Sequence, residues 1–213
     1  MGTATSASTR IVCLILSGLL LSFQSLRAGD DDLPAVLGSV APSKNIIDSW
    51  FIDYDTAALW KVTNTTDLNY LVLPQIISWR SPYALQWDLG GGDLIVRNRL
   101  SLLAEYFLEG AESYYFGFSG SPALEWWNAE QNFSLYFYVG GGVGFVNSAD
   151  IEGGQGQDFA FNWFAQTGAR FRLNETLFVA GGLLFQHISN QGLSDRNPGL
   201  NALGPTIGLS WKF

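Results

Sequence analysis

The sequence predicts an all-β protein, a single eight-stranded antiparallel transmembrane β-barrel, and three observations predict it. The first is composition: the chain carries 24 Gly, 8 Trp, 8 Tyr and 15 Phe, yet only 14% of its residues are charged. A membrane barrel uses aromatic girdles at both interfaces, apolar residues toward lipid and small or polar residues inside. The second is periodicity, since the C-terminal half alternates with period 2, the period of a strand. The third is the character of the two faces. A soluble sandwich hides its apolar face and shows charge outside. Here the polar face is too poor in charge for a solvated surface, and the apolar face is too rich in large aromatics for a narrow core. Small and polar residues inside with apolar residues outside is the barrel solution.

The elements follow in chain order. Arg10 precedes an apolar run from Ile11 to Leu21, too short to span a bilayer as a helix, which takes about 20 residues. A basic flank, a short apolar core and small residues beyond describe a secretory signal peptide over residues 1–28, cleaved after Ala28. Cys13, the single cysteine, lies in that run and leaves with it, so the mature chain has no disulfide. Residues 29–53, opening on Asp30, Asp31 and Asp32, read as a periplasmic lead-in. The barrel domain then occupies 54–213.

Eight strand segments are expected near 55–63, 69–79, 94–106, 114–127, 132–145, 158–171, 175–189 and 201–213. The first two alternate poorly. The later ones alternate well: Phe133, Leu135, Phe137 and Val139 interleave with Ser134, Tyr136 and Tyr138, and Leu203, Pro205, Ile207, Leu209 and Trp211 with Gly204, Thr206, Gly208 and Ser210. Gly140 to Gly144 sit within such a pattern, where small residues suit a crowded interior better than a phosphate-cradling loop. Arg97, Arg99 and Glu105 share one parity, and Glu125 and Arg170 also face inward. These buried charges are expected to form ion pairs.

Bacterial barrels have short periplasmic turns and longer external loops. The connections near 128–131 and 172–174 are short, and those near 146–157 and 190–200 are long, so the chain end is periplasmic. The 80–93 connection is too long for a periplasmic turn, unless residues 83–89 extend a strand. The chain closes on Trp211-Lys212-Phe213. A terminal aromatic on an alternating strand resembles the signal that outer-membrane barrels present to their assembly machinery, with Phe213 as the contact.

Several function classes are excluded. With 11 Lys+Arg against 19 Asp+Glu, the acidic balance argues against nucleic acid, whose phosphates call for cations. One histidine and no mature cysteine leave no metal site in view, no calcium-loop pattern occurs, and no cofactor is implied.

The seventh segment holds the one unusual site. Leu177, Val179, Gly181, Leu183 and Phe185 make a lipid-facing stripe, and then His187 and Ser189 appear on the same face. Residues i and i+2 of a strand lie about 6.5 Å apart along the backbone, so His187 can act as the base that activates Ser189 as a nucleophile. His187 lies about 12 residues from the periplasmic rim, and tilted strands need about 9–11 to cross. The pair therefore sits near the outer lipid boundary, where the lipid of a Gram-negative outer membrane is lipopolysaccharide. Asn201 shares the outward parity of the eighth segment, and antiparallel pairing can bring it beside His187 to hold the ring's tautomer. Asn190 and Asn197, in the connecting loop, are candidate amide donors for an oxyanion. The plainer reading makes His187 an amphipathic residue at the headgroup boundary and Asn197-Pro198-Gly199 a simple turn.

The run Phe185-Gln186-His187-Ile188-Ser189-Asn190-Gln191-Gly192-Leu193, followed by Asn197-Pro198-Gly199-Leu200-Asn201, resembles the C-terminal motif of the lipid A 3-O-deacylase (PagL-type) family, often labelled acyloxyacyl hydrolases. Members are eight-stranded outer-membrane barrels that remove the ester-linked acyl chain at the 3 position of lipid A. The resemblance implies His187 as base, Ser189 as nucleophile, and Asn190 and Asn197 at the oxyanion hole. The departure is Asn201, where the family pattern has Glu. An Asn orients the imidazole but cannot offset its charge, and Asp195 is an alternative acid nearby in sequence. Beside the lipid A esterase stand two other readings: a phospholipid esterase of the same mechanism, and a structural or adhesive barrel without activity.

Overall fold

The structure is a computed structural model and describes residues 45–63 and 66–213; the signal segment expected over 1–28 and most of the lead-in lie outside them. Nine strands form one antiparallel sheet: β1 (Phe51–Ala57), β2 (Leu59–Lys61), β3 (Leu71–Asp88), β4 (Gly92–Glu109), β5 (Tyr114–Asn128), β6 (Phe133–Val146), β7 (Phe159–Arg172), β8 (Leu177–Ser189) and β9 (Leu200–Lys212). Each strand from β3 to β9 pairs with its neighbours in sequence, and β1 pairs with both β3 and β9, which closes the ring. β1 and β2 are two pieces of one strand interrupted at Ala58 and share the same neighbours. The ring therefore has eight strands, and the barrel leaves no open sheet edge around it.

The outer surface is apolar. Phe116, Phe118, Leu102, Phe137, Trp163 and Ile207 are all exposed, Phe137 and Trp163 at 48% and 47%. In water that surface would be untenable, and in lipid it is required. Aromatics gather at the two ends: Trp60, Tyr106, Tyr114 and Phe145 at one, Trp87, Phe171, Trp211 and Phe213 at the other, all exposed. In β6 to β9 the outward set is odd-numbered, as the alternation predicts.

The lumen is filled with side chains. At one end Ile46 and Ile47, in a short 3-10 turn, pack with Phe51, Ile95, Trp127 and Phe178. This closes the end that carries the short connections and the C-terminus. Above that layer lies a charge cluster. Glu125 pairs with Arg80, with Arg97 at 3.2 Å and with Arg170 at 3.7 Å, while Arg80 also binds Asp53 and Arg99 approaches Asp55 at 3.4 Å. The ion pairs expected for Glu125, Arg97 and Arg170 are present. Arg99 finds Asp55, and Glu105 finds no cation among the described residues. Glu105 lies six residues beyond Arg99 on β4, about 20 Å along the strand, and it accepts a hydrogen bond from Gln186 Nε2 at 2.6 Å instead. Small residues admit this filling: a Cβ on Gly168 would lie 2.4 Å from Tyr136 Oη.

Strand boundaries differ from the sequence expectation at two places. β1 starts at Phe51, inside the supposed lead-in, because its inward residues Asp53 and Asp55 serve the charge cluster and so mute the hydropathy alternation. β3 runs on to Asp88, and the connection to β4 is only residues 89–91, so the long 80–93 connection does not exist. Register shifts between Arg80 and Leu85 absorb Ser81 and Pro82 as an irregularity, which is how a strand carries a proline in its interior. Short connections at 89–91, 129–132 and 173–176 share one end with the C-terminus; 62–70, 147–158 and 190–199 lie at the other. The second end is the outer one.

Candidate active site at the outer rim

The site is built where β8 reaches the outer rim. His187 is paired across the sheet with Trp163 of β7 on one side and Asn201 of β9 on the other. Its odd parity places it on the lipid-facing wall beside Ser189. His187 Nε2 lies 2.9 Å from Ser189 Oγ, and Nδ1 lies 2.7 Å from Asn201 Oδ1. Asn201 is itself held, since its Nδ2 donates to Thr63 Oγ1 at 2.8 Å. The Trp163 ring tilts beside the imidazole, 6.0 Å between centroids and 32° between planes. The ring is fixed on both flanks while Ser189 is 94% buried, its relative exposure being 6%.

This geometry favours one tautomer. With the Nδ1 proton donated to Asn201 Oδ1, the Nε2 lone pair faces the Ser189 hydroxyl. A hydroxyl, a base within hydrogen-bond reach and a third group orienting the base are the parts of an activated nucleophile. His187, Ser189 and Asn201 are thus together, as the sequence placed them. Asp195 is exposed on the neighbouring loop, and the imidazole Nδ1 is turned to Asn201.

The two loop asparagines divide their work. The Asn190 Nδ2 group donates to the carbonyls of Gln155 and Arg196, and its Oδ1 accepts from the Gly192 N–H at 2.8 Å. Its amide is spent on shaping the loop, with no hydrogen left for an oxyanion. Asn197 accepts the Asn190 backbone N–H at 3.0 Å through Oδ1. Its side chain is exposed, and its Nδ2 hydrogens remain available. Gly199 packs directly on the site: its φ is +65°, and a Cβ there would stand 3.3 Å from His187 Cε1.

A second layer, not found from the sequence, supports this loop. Glu112, Ser148 and Gln155 are buried together at the outer end. Glu112 accepts from Tyr70 Oη at 2.7 Å, Ser148 Oγ at 2.8 Å and the Gln155 N–H at 3.2 Å. At the base of the same loop, Asp158 Oδ1 accepts the backbone N–H groups of Ser148 and Ala149 at 2.8 and 2.9 Å. Those two bonds hold its carboxyl below the usual aspartate range. Among the described residues no group of three His, Cys, Asp or Glu is placed to hold a metal ion.

Residues 78–210 match the family model described as lipid A 3-O-deacylase (PagL). The chain belongs to this family. The match spans more than half of the sequence and includes His187, Ser189, Asn190, Asn197 and Asn201. The crystal structure of the outer membrane enzyme PagL is similar over 74% of this chain and 97% of its own, with a TM-score of 0.52 at 17% identity. Neisserial surface protein A (NspA) is similar over 77% of this chain and 97% of its own, with a TM-score of 0.54 at 11% identity. At such identities the likeness concerns the fold. No curated protein sequence matches the chain. Family, fold and apolar outer wall together place this deacylase-family member in the outer membrane of a Gram-negative bacterium.

Proposed function

We propose that the protein is a lipid A esterase that removes the acyl chain ester-linked at the 3 position, with Ser189 as nucleophile and His187 as general base. The observation that carries the reading is the run of contacts Ser189 Oγ, His187 Nε2, His187 Nδ1 and Asn201 Oδ1, at 2.9 and 2.7 Å, on the outer wall at the outer rim. The family's description, lipid A 3-O-deacylase, supports this choice of substrate and bond.

In the first half-reaction Ser189 Oγ bonds to the ester carbonyl carbon while Nε2 takes its proton. The tetrahedral oxyanion is held by the Asn197 amide, and backbone N–H groups of the rim loop can add to it. The carbon–oxygen bond to the sugar then breaks, and the leaving alkoxide takes the proton from Nε2. In the second half-reaction a water, deprotonated by Nε2, releases the fatty acid and restores Ser189. Asn201 keeps the imidazole in the productive tautomer throughout.

The test is mass spectrometry of lipid A incubated with purified, refolded protein in mixed micelles. The wild type is expected to remove one ester-linked acyl chain, and Ser189→Ala to leave the lipid intact while folding normally. Activity equal in the two proteins overturns the mechanism, and a wild type inert toward lipid A overturns the reading. Release of fatty acid from phospholipid alone supports the phospholipid esterase instead.

A further inference from the structure

The 147–158 and 190–199 loops are far apart in sequence yet tied through one side chain, Gln155. It is 2% exposed, on a loop whose acidic residues Asp150, Glu152 and Asp158 are exposed. Its backbone N–H donates to the Glu112 carboxylate and to Ser148 Oγ. Its carbonyl accepts from Asn190 Nδ2. Its side-chain Oε1 accepts the Gly199 N–H at 3.2 Å. Gly199 is the residue that packs against His187 Cε1, and its ideal Cβ position also lies 3.9 Å from Ser189 Cβ. Within two hydrogen bonds, then, Gln155 reaches Asn190, the residue that follows the nucleophile, and Gly199, the residue that bounds the base.

From this we infer that Gln155 is a positioning residue for the Ser189–His187 pair. It acts through Gly199 and Asn190 and touches neither reacting atom. The inference rests on the esterase reading given above. Its physical content is that Trp163 and Asn201, in the neighbouring strands, hold the imidazole on its two flanks, while its Cε1 edge is limited from the rim loop. The Gly199 backbone supplies that limit, and Gln155 Oε1 supplies the anchor for Gly199. The run Gly153-Gly154-Gln155-Gly156 allows the approach. A Cβ at position 154 would lie 2.4 Å from Ser148 Oγ, and one at 156 would lie 2.6 Å from Ser194 Oγ and 2.9 Å from Arg196 Cβ. The neighbouring glycines are therefore what lets the two loops close on Gln155. Glu112, buried and accepting three hydrogen bonds, is the base of the post on which Gln155 stands.

A misplacement of about 1 Å in a reacting group can lower turnover about a hundredfold without touching the chemistry. Gln155→Met keeps the length of the side chain and removes the acceptor. It is expected to lower kcat on lipid A about 10- to 100-fold with KM within about threefold, since substrate contacts are untouched. Gln155→Glu keeps an oxygen for the Gly199 N–H and is expected to recover most of the lost kcat. Gly199→Ala, placed against His187 Cε1, is expected to lower kcat with Gln155 intact. Folding is read separately, from the heat-dependent gel mobility of each barrel in detergent. A folded Gln155→Met protein with at least half of the wild-type kcat overturns the inference, as does a Gln155→Glu protein no better than Gln155→Met. If the Met variant fails to fold, the Glu and Ala variants decide: folded Gly199→Ala at wild-type kcat overturns it. A wild-type protein that releases no fatty acid defeats the esterase reading itself, an outcome distinct from all of these.

Discussion

Replacing Asn201 tests how much of the work at the third position is orientation and how much is charge. Asn201→Ala removes the 2.7 Å contact to His187 Nδ1. In the mechanism proposed above, that contact becomes a hydrogen bond to a charged imidazolium, worth about 1.5–3 kcal/mol. At 1.36 kcal/mol per factor of ten, kcat is expected to fall about 10- to 150-fold. Asn201→Glu replaces a neutral acceptor with a carboxylate. Opposite charges about 4 Å apart attract by about 1 kcal/mol in water and about 4 kcal/mol at an effective dielectric of 20. His187 is half-buried, between those limits. The same substitution gives up the Nδ2 bond to Thr63, a neutral bond worth about 1 kcal/mol. The net is about 0–3 kcal/mol in favour of the transition state, so kcat is expected to stay level or rise by up to about 150-fold. The assay is fatty-acid release from lipid A in micelles, read for each protein at the pH of its own maximal rate. An Asn201→Ala protein within twofold of wild type refutes the orienting role. An Asn201→Glu protein slower than Asn201→Ala refutes the charge argument.

Other outcomes follow from the lumen and the rim. Glu125→Leu leaves three buried guanidinium groups without their shared carboxylate, and a broken buried ion pair costs about 3–5 kcal/mol; the urea midpoint of the barrel in micelles is expected to fall accordingly. A lumen packed with side chains is expected to pass no ions at porin-like levels in planar bilayers, as in other eight-stranded barrels of filled interior. The 147–158 loop is expected to loosen in acid. Asp158 has a lowered pKa in the folded protein, so its contribution is whole above the unfolded aspartate value of about 3.9 and is lost as pH falls below it toward the folded value. Limited proteolysis with an acid protease across pH 2–5 reads this, with Asp158→Asn cut at every pH.

Where the sequence was readable, one rule did most of it: strand parity. It put Phe137 and Trp163 toward lipid, Glu125 and Arg170 inside, and His187, Ser189 and Asn201 on one wall, because alternation survives whatever surrounds the strand. It failed where side chains of both kinds share a face. Asp53 and Asp55 point inward with Phe51, so β1 shows no clean period, and Pro82 reads as a strand end although a local irregularity carries β3 past it. Loop geometry was the least legible. Nothing in the sequence separates Asn190 from Asn197, since both are asparagines of one loop; only the carbonyls of Gln155 and Arg196 decide that Asn190 is spent. Gln155 and Glu112 carry no motif at all, because their partners come from other loops.

On the esterase reading, the pair Ser189–His187 works on the outside of a stoppered cylinder, and this changes what concentration means for catalysis. A lipid reaches it by sliding sideways within the leaflet, and the freed acyl chain stays dissolved in the same sheet of hydrocarbon. Turnover then follows the mole fraction of substrate in the surface rather than its molarity in the bulk. Adding inert detergent at constant lipid should slow the reaction as simple crowding-out would, while diluting the whole suspension with buffer at constant lipid-to-detergent ratio should leave the rate per enzyme almost unchanged.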